Sequence, residues 1–157
     1  MSDDDTFHVL VVEDSLIDAE LVTRLLEAVR SPKFRVERAN QLSSAIELLA
    51  NDSFDVVLLD LMMPDCNGLE GLERLALDWP DLPIIVLTGV TDEGVALEAL
   101  RSGAEDYLVK NEAINDSLLV RSIRYGVERK RAELEIRRLN TELEERVARR
   151  TAQLRES

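Results

Sequence analysis

Asp55-Val56-Val57-Leu58-Leu59-Asp60-Leu61-Met62-Met63-Pro64-Asp65-Cys66-Asn67-Gly68 is the stretch on which the fold turns. Four apolar residues run straight into a carboxylate, and a Pro/Asp/Asn/Gly turn follows. Such a run, rich in Val and Leu and bounded by turn residues, reads as a strand buried on both faces of a parallel sheet. Asp60 then stands where the strand stops and the loop begins. In open α/β sheets that edge is where ligands bind, so Asp60 is a candidate for chemistry if the chain supplies partners.

The same pattern recurs outward from this stretch. Phe7–Val12 reads as a buried strand ending on Glu13-Asp14. A helix follows, with Ser15 as cap, Asp18 in the reciprocal capping position, and Leu16, Leu21, Leu25 and Val29, flanked by Ile17 and Leu26, as its apolar face. Ser31-Pro32 is expected to stop it. Lys33–Arg38 alternates and reads as a shorter strand near an edge. A second helix runs from Ser43/Ser44 to Ala50 with Leu42, Ile46 and Leu49 as its stripe, and a third spans about Leu69–Leu77, closed by Trp79-Pro80. Pro83–Thr88 is a fourth strand. A fourth helix starts at Thr91 or Asp92 and ends at Arg101, with Gly103 just past its end. Asp106–Val109 is a fifth strand ending on Lys110, and a last helix begins near Asn111. Five β-α repeats predict a three-layer α/β domain with a parallel sheet over residues 7–120, after an acidic tail at 1–6.

Charge separates the chain into two parts. Residues 1–120 carry 25 acidic and 8 basic side chains, a net −17, whereas residues 121–157 carry 7 and 11, a net +4. The acidic part argues against a nucleic-acid partner. No apolar run is long enough to span a membrane. The single cysteine, Cys66, fits a reducing cytoplasmic setting and is expected to be an unreactive thiol. No Cys/His cluster suggests a structural zinc site. His8, the one histidine, is expected to be structural.

Parallel strands bring Glu13/Asp14, Asp60, Thr88 and Lys110 to one sheet edge. Crowded carboxylates repel and raise one another's pKa unless a cation intervenes, and a hard divalent ion is the usual remedy. A metal, a lysine and a hydroxyl around an aspartate nucleophile suit phosphoryl transfer to that aspartate. Neither a Gly-x-Gly-x-x-Gly nor a Gly-Lys-Ser/Thr loop supports a nucleotide fold instead. An Asp-nucleophile phosphatase would want an acid where Met62 stands.

Val11-Val12-Glu13-Asp14, Leu59-Asp60-Leu61-Met62-Met63-Pro64, Val86-Leu87-Thr88-Gly89 and Asp106-Tyr107-Leu108-Val109-Lys110 together resemble the receiver domain of bacterial response regulators. The resemblance implies a flavodoxin-like, doubly wound five-stranded parallel sheet of order 2-1-3-4-5. It implies that Asp60 accepts phosphate from a sensor kinase's phosphohistidine or from a phosphotransfer protein. It further implies that Glu13, Asp14, Asp60 and the backbone carbonyl of Met62 hold Mg²⁺ (or Mn²⁺), that Lys110 pairs with the phosphoryl group, and that Thr88 and Tyr107 act as the switch. Such a receiver turns over no separate substrate. Two departures stand out: Asn111 replaces the proline the family usually has after its lysine, and the turn reads Pro64-Asp65-Cys66-Asn67-Gly68 where a Met-Asp-Gly ending is commoner.

Beyond residue 120, Leu119, Ile123, Val127, Leu134, Leu139, Leu143, Val147 and Leu154 recur at steps of three, four or seven among charges. They predict a long amphipathic helix and a dimeric coiled coil with a stutter between Leu143 and Val147. Glu142–Leu154 resembles signalling-helix linkers between receivers and downstream modules. A constitutive dimerising scaffold with an inert receiver, and less favourably a DNA-binding regulator using the Arg-rich face, are the competing readings.

Overall fold

The computed structural model describes residues 6–89, 92–113 and 117–156; the side chains of Cys66, Asn67, Glu112 and Ala113 lie outside the description, as do the acidic N-terminus and Thr91. Five strands form one sheet: β1 (Thr6–Val12), β2 (Lys33–Ala39), β3 (Val56–Leu59), β4 (Ile84–Thr88) and β5 (Asp106–Val109). They lie in the order 2-1-3-4-5, all parallel. A small antiparallel hairpin, Met62–Met63 with Cys66–Asn67, follows β3.

Period-two alternation sorts the apolar runs into two cores. Leu10, Val12, Val57, Leu59, Ile84 and Val86 face α2 (Leu42–Asn51), α3 (Leu69–Asp78) and α4 (Glu93–Arg101). Val9, Val11, Val56, Leu58, Ile85 and Leu87 face α1 (Leu16–Glu27) and, after the single-turn α5 (Lys110–Ala113), the long α6 (Leu118–Glu156). Every residue of β3 and β4 is buried, which is why those strands read as unbroken hydrophobic runs.

Some sequence expectations change here. The buried face of α1 is Ala19, Val22 and Leu26, while Leu16, Ile17 and Leu21 are exposed. The smaller Ala19 and Val22 lie at the sheet, and three of the large aliphatics point to solvent. The helix ends at Glu27, ahead of Ser31-Pro32. At the edge, β2 is as long as β1 and is paired with it along all seven residues. The end of α4 follows the expected glycine stop: the N–H of Ala104 reaches the carbonyl of Ala99 at 3.0 Å and that of Gly103 reaches Leu100 at 3.3 Å. Gly103 has φ +116°, and a Cβ there would come within 2.8 Å of Ala76.

The last helix is not continuous from Asn111. The turn Lys110–Ala113 is separate, and α6 begins at Leu118 with Arg121 N–H bonded to the Ser117 carbonyl at 3.1 Å. Along its apolar stripe, Leu119, Ile123 and Val127 are core residues of the domain. Buried aliphatic side chains of this size contribute roughly 1.5–3 kcal/mol each. Basic residues then fasten the helix further along: Arg129 and Lys130 to Glu105, Arg131 to Asp55, and Arg137 to Asp81 at 2.9 Å. The packed part of α6 thus runs past residue 120, to Val127. Leu139, Leu143, Val147 and Leu154 are exposed. No helix among the described residues is long and apolar enough to cross a membrane.

Candidate functional site

The site is assembled where β1, β3, β4 and β5 end. Asp60 N–H bonds the Val12 carbonyl at 3.0 Å and Glu13 N–H bonds the Ala39 carbonyl at 2.9 Å, so the strand ladders run up to both acids. Arg38 of β2 donates from Nε to the Glu13 carbonyl and from Nη2 to the Asp14 carbonyl, each at 3.0 Å. That guanidinium holds the Glu13–Asp14 backbone, while the Asp14 side chain is exposed and Glu13 is buried.

Both oxygens of Asp60 are engaged. Oδ1 accepts from the Met62 N–H at 3.0 Å and from Thr88 Oγ1 at 2.9 Å; Oδ2 accepts from Lys110 Nζ at 2.9 Å. Thr88 is fully buried. Lys110 also donates to Glu13 and, at 2.8 Å, to Asp18 on α1. Three carboxylates therefore share one ammonium. Asp18 was expected in a capping box; instead Ser15 Oγ accepts from Asp18 N–H at 3.3 Å while the Asp18 side chain serves Lys110.

These contacts set the protonation states. Burial raises the Glu13 carboxyl to about 8, helped by its hydrogen bond with Asp60 and opposed by Lys110. Burial pushes Asp60 upward as well, but hydrogen bonds from Glu13, Lys110 and the Met62 amide outweigh it, and Asp60 lies below the ordinary carboxylate value. For Lys110, burial favours the neutral amine, yet the bonds to Asp18, Glu13 and Asp60 prevail and hold it as the ammonium. Burial, then the charges of Asp92 and Asp60, raise the Tyr107 phenol. Tyr107 is half-buried against the α2/α3/α4 core, on the strand beside Thr88.

The chemistry of the donor set fits a divalent ion. Carboxylate oxygens of Glu13, Asp14 and Asp60 lie within 4.8 Å of one another. Glu13 Oε2 is buried and no donor among the described residues reaches it, a position suited to a cation. The acids outnumber the one ammonium. Met62 occupies the hairpin two residues past Asp60, its side chain 64% exposed, whereas Met63 is packed in the core. A Cβ at Gly89 would meet nothing within 4 Å, so the protein's own packing does not demand a small residue there.

The sequence reading missed three supports. Asp18 and Arg38 act across tertiary contacts that no local motif reports. Asp65, read only as a turn residue, accepts from the N–H groups of Leu42 at 2.9 Å and Ser43 at 3.1 Å. It thereby caps α2, whose own N-cap, Gln41, makes no side-chain bond. The amide of Leu42 is the main cause holding the Asp65 carboxyl below its usual range.

Known proteins match this architecture. Residues 9–123 match the family described as the response regulator receiver domain. "Transcriptional regulatory protein ZraR" of Klebsiella oxytoca is 35% identical over 102 residues, 65% of this chain and 22% of the relative. "Probable transcriptional regulatory protein TcrX" of Mycobacterium tuberculosis is 35% identical over 111 residues, 71% of this chain and 46% of the relative. The chain therefore spans less than half of either relative's length. In structure, a receiver domain protein from Clostridium thermocellum superposes with a TM-score of 0.69 at 28% identity, covering 80% of this chain and 98% of that one. Receiver domains are the partners of histidine kinases in two-component signalling. This chain belongs to the response regulator receiver domain family.

Proposed function

We propose that Asp60 is the phosphoacceptor of a two-component phosphorelay. The observation that carries this reading is the state of its carboxylate. It is buried, deprotonated, and held with Oδ1 on Thr88 and Met62 and Oδ2 on Lys110. An Asp60 oxygen attacks the phosphorus of a kinase's or phosphotransfer protein's phosphohistidine. The new P–O bond forms as the P–N bond breaks, and the departing imidazole nitrogen takes up a proton. Lys110 neutralises phosphoryl charge, and positioning does most of the remaining work.

Glu13, Asp14, Asp60 and the Met62 carbonyl would hold Mg²⁺ or Mn²⁺, which supplies charge neutralisation for the phosphoryl oxygens. A related fold, described as the Mn(2+)-bound form of response regulator Rcp1, has a TM-score of 0.59 at 23% identity, which carries the fold alone. Thr88 then exchanges its bond to Asp60 for one to a phosphoryl oxygen, and Tyr107 moves inward beside it. The signal leaves through α6. Its exposed Leu139, Leu143, Val147 and Leu154 suit pairing with a second copy in the cytoplasm, with the receiver unit reaching at least Val127 and a helical linker beyond it.

Incubating the protein with Mg²⁺ and a small phosphodonor tests the assignment. One acid-labile phosphate is expected on wild type and none on Asp60→Ala; undiminished labelling of the variant would refute it. A second reading, an inert receiver on a constitutive dimer, is supported by α6 itself, one helix from Leu118 to Glu156 with exposed aliphatic residues along it. It requires the same dimer before and after phosphodonor by light scattering.

A further inference from the structure

His8, the one histidine of the chain, lies near the amino-terminal end of β1, at the sheet edge away from Asp60. Its ring stacks on Phe54, with centroids 4.1 Å apart and planes inclined by 25°, and its side chain is 13% exposed. Nδ1 stands 2.6 Å from the Ser53 carbonyl oxygen, and Nε2 meets the Glu37 carboxylate. A carbonyl oxygen only accepts, so Nδ1 carries a hydrogen. Nε2 is then the nitrogen left facing the Glu37 carboxylate, with a proton or a metal ion held between them.

The surroundings say which cation fits. The Asp52 carboxylate lies with His8 and Glu37 so that one ligand atom from each is within 4.8 Å of the others. One imidazole nitrogen and two carboxylate oxygens, from β1, β2 and the turn after α2, make an open three-ligand set of the type Zn²⁺ accepts, with water in the fourth position. The Nδ1–H bond to a backbone carbonyl is the contact that orients a metal-binding histidine. Asp55, the other acid nearby, is committed elsewhere: it accepts from the His8 backbone N–H at 2.8 Å and pairs with Arg131 at 3.7 Å. Asp52 is exposed and the Glu37 side chain is 37% exposed, so an ion can enter from solvent.

We propose that His8 Nε2, Glu37 and Asp52 bind a divalent transition-metal ion of the Zn²⁺ class, fastening β1, β2 and the α2–β3 turn. The site is separate in position and ligand type from the carboxylate cluster around Asp60.

A lone histidine gives an unambiguous reporter. Zn²⁺ is titrated into the full chain labelled with ¹⁵N-histidine. The expected result is a new imidazole species, complete near one equivalent, with Nε2 shifted as a metal ligand and Nδ1 still protonated. Mg²⁺ should not produce it. Glu37→Gln and Asp52→Asn should each weaken the response by about tenfold or more. Asp14→Asn, which alters only the other cluster, should leave it intact. If Nε2 stays protonated through millimolar Zn²⁺, the bridging cation is a proton and the proposal fails. Loss of the response in Asp14→Asn would overturn it equally.

Discussion

Lys110 donates to Asp18 at 2.8 Å, slightly closer than its 2.9 Å contact to Asp60. The residue proposed to neutralise a phosphoryl group is thus shared with a carboxylate on α1. Replacing Asp18 by Asn leaves a neutral amide beside the ammonium and frees its charge for the incoming group. Phosphoryl uptake from a small phosphodonor should rise by about 3–10-fold, the scale of one charge-assisted contact. Stopped-flow labelling kinetics measure this, and a slower variant would mean that Asp18 positions Lys110.

Lys110→Met should be the more damaging change. It leaves the buried Asp60 carboxylate with no ammonium, and stranding a buried charge costs about 3–5 kcal/mol. The deficit should shrink as pH falls below the unfolded Asp60 value of 3.8 and Asp60 takes a proton. Urea melts of wild type and variant at pH 7 and pH 3 follow the gap; a gap independent of pH would contradict it.

Glu13 makes the metal-free protein sensitive to pH in a specific window. Its folded pKa of about 8 lies above the ordinary 4.5. The folded state therefore holds a proton that the unfolded state has released between those values, and this contribution to stability is lost as pH rises through about 8. A divalent ion competes for the same carboxyl, so Mg²⁺ affinity should increase over that window. Calorimetry at pH 6.5 in buffers of different ionisation enthalpy should register proton release on binding.

Asp65→Ala removes the cap that α2 lacks in its own sequence, at an expected cost of about 0.5–2 kcal/mol. Because the folded Asp65 pKa is depressed, its contribution is present above the unfolded value of 3.8 and lost as pH falls through the folded one. Denaturant midpoints at pH 7 and pH 3 should differ by less in the variant than in wild type.

Ile123→Ala and Leu143→Ala divide α6 by function. Ile123 is fully buried in the domain core, so its truncation should cost about 2–5 kcal/mol. Leu143 is exposed, and its truncation should leave the thermal midpoint of a dilute sample unchanged while weakening self-association. Sedimentation of both variants separates the two effects.

The central strands β3 and β4 were readable because burial on both faces leaves apolar residues up to a polar end, and Asp60 and Thr88 do meet at one sheet edge. The face of α1 was misread because aliphatic side chains lie all around that helix. Counting large residues selects Leu16 and Leu21, while the packed stripe uses Ala19 and Val22. Asp18, Arg38 and Asp65 act over separations of 92, 25 and 23 residues, beyond any local pattern. The interruption before α6 had a local signal in the polar run Asn115-Asp116-Ser117, which favours a helix start over a helix interior.

The ion pair between Arg137 and Asp81 makes α6 a lever. At 1.5 Å per residue the helix continues for about 29 Å from Arg137 to Glu156. A tilt of about 10° at that anchor would carry the far end through about 5 Å. Displacements at the sheet edge too small to disturb the core are thus magnified at the tip.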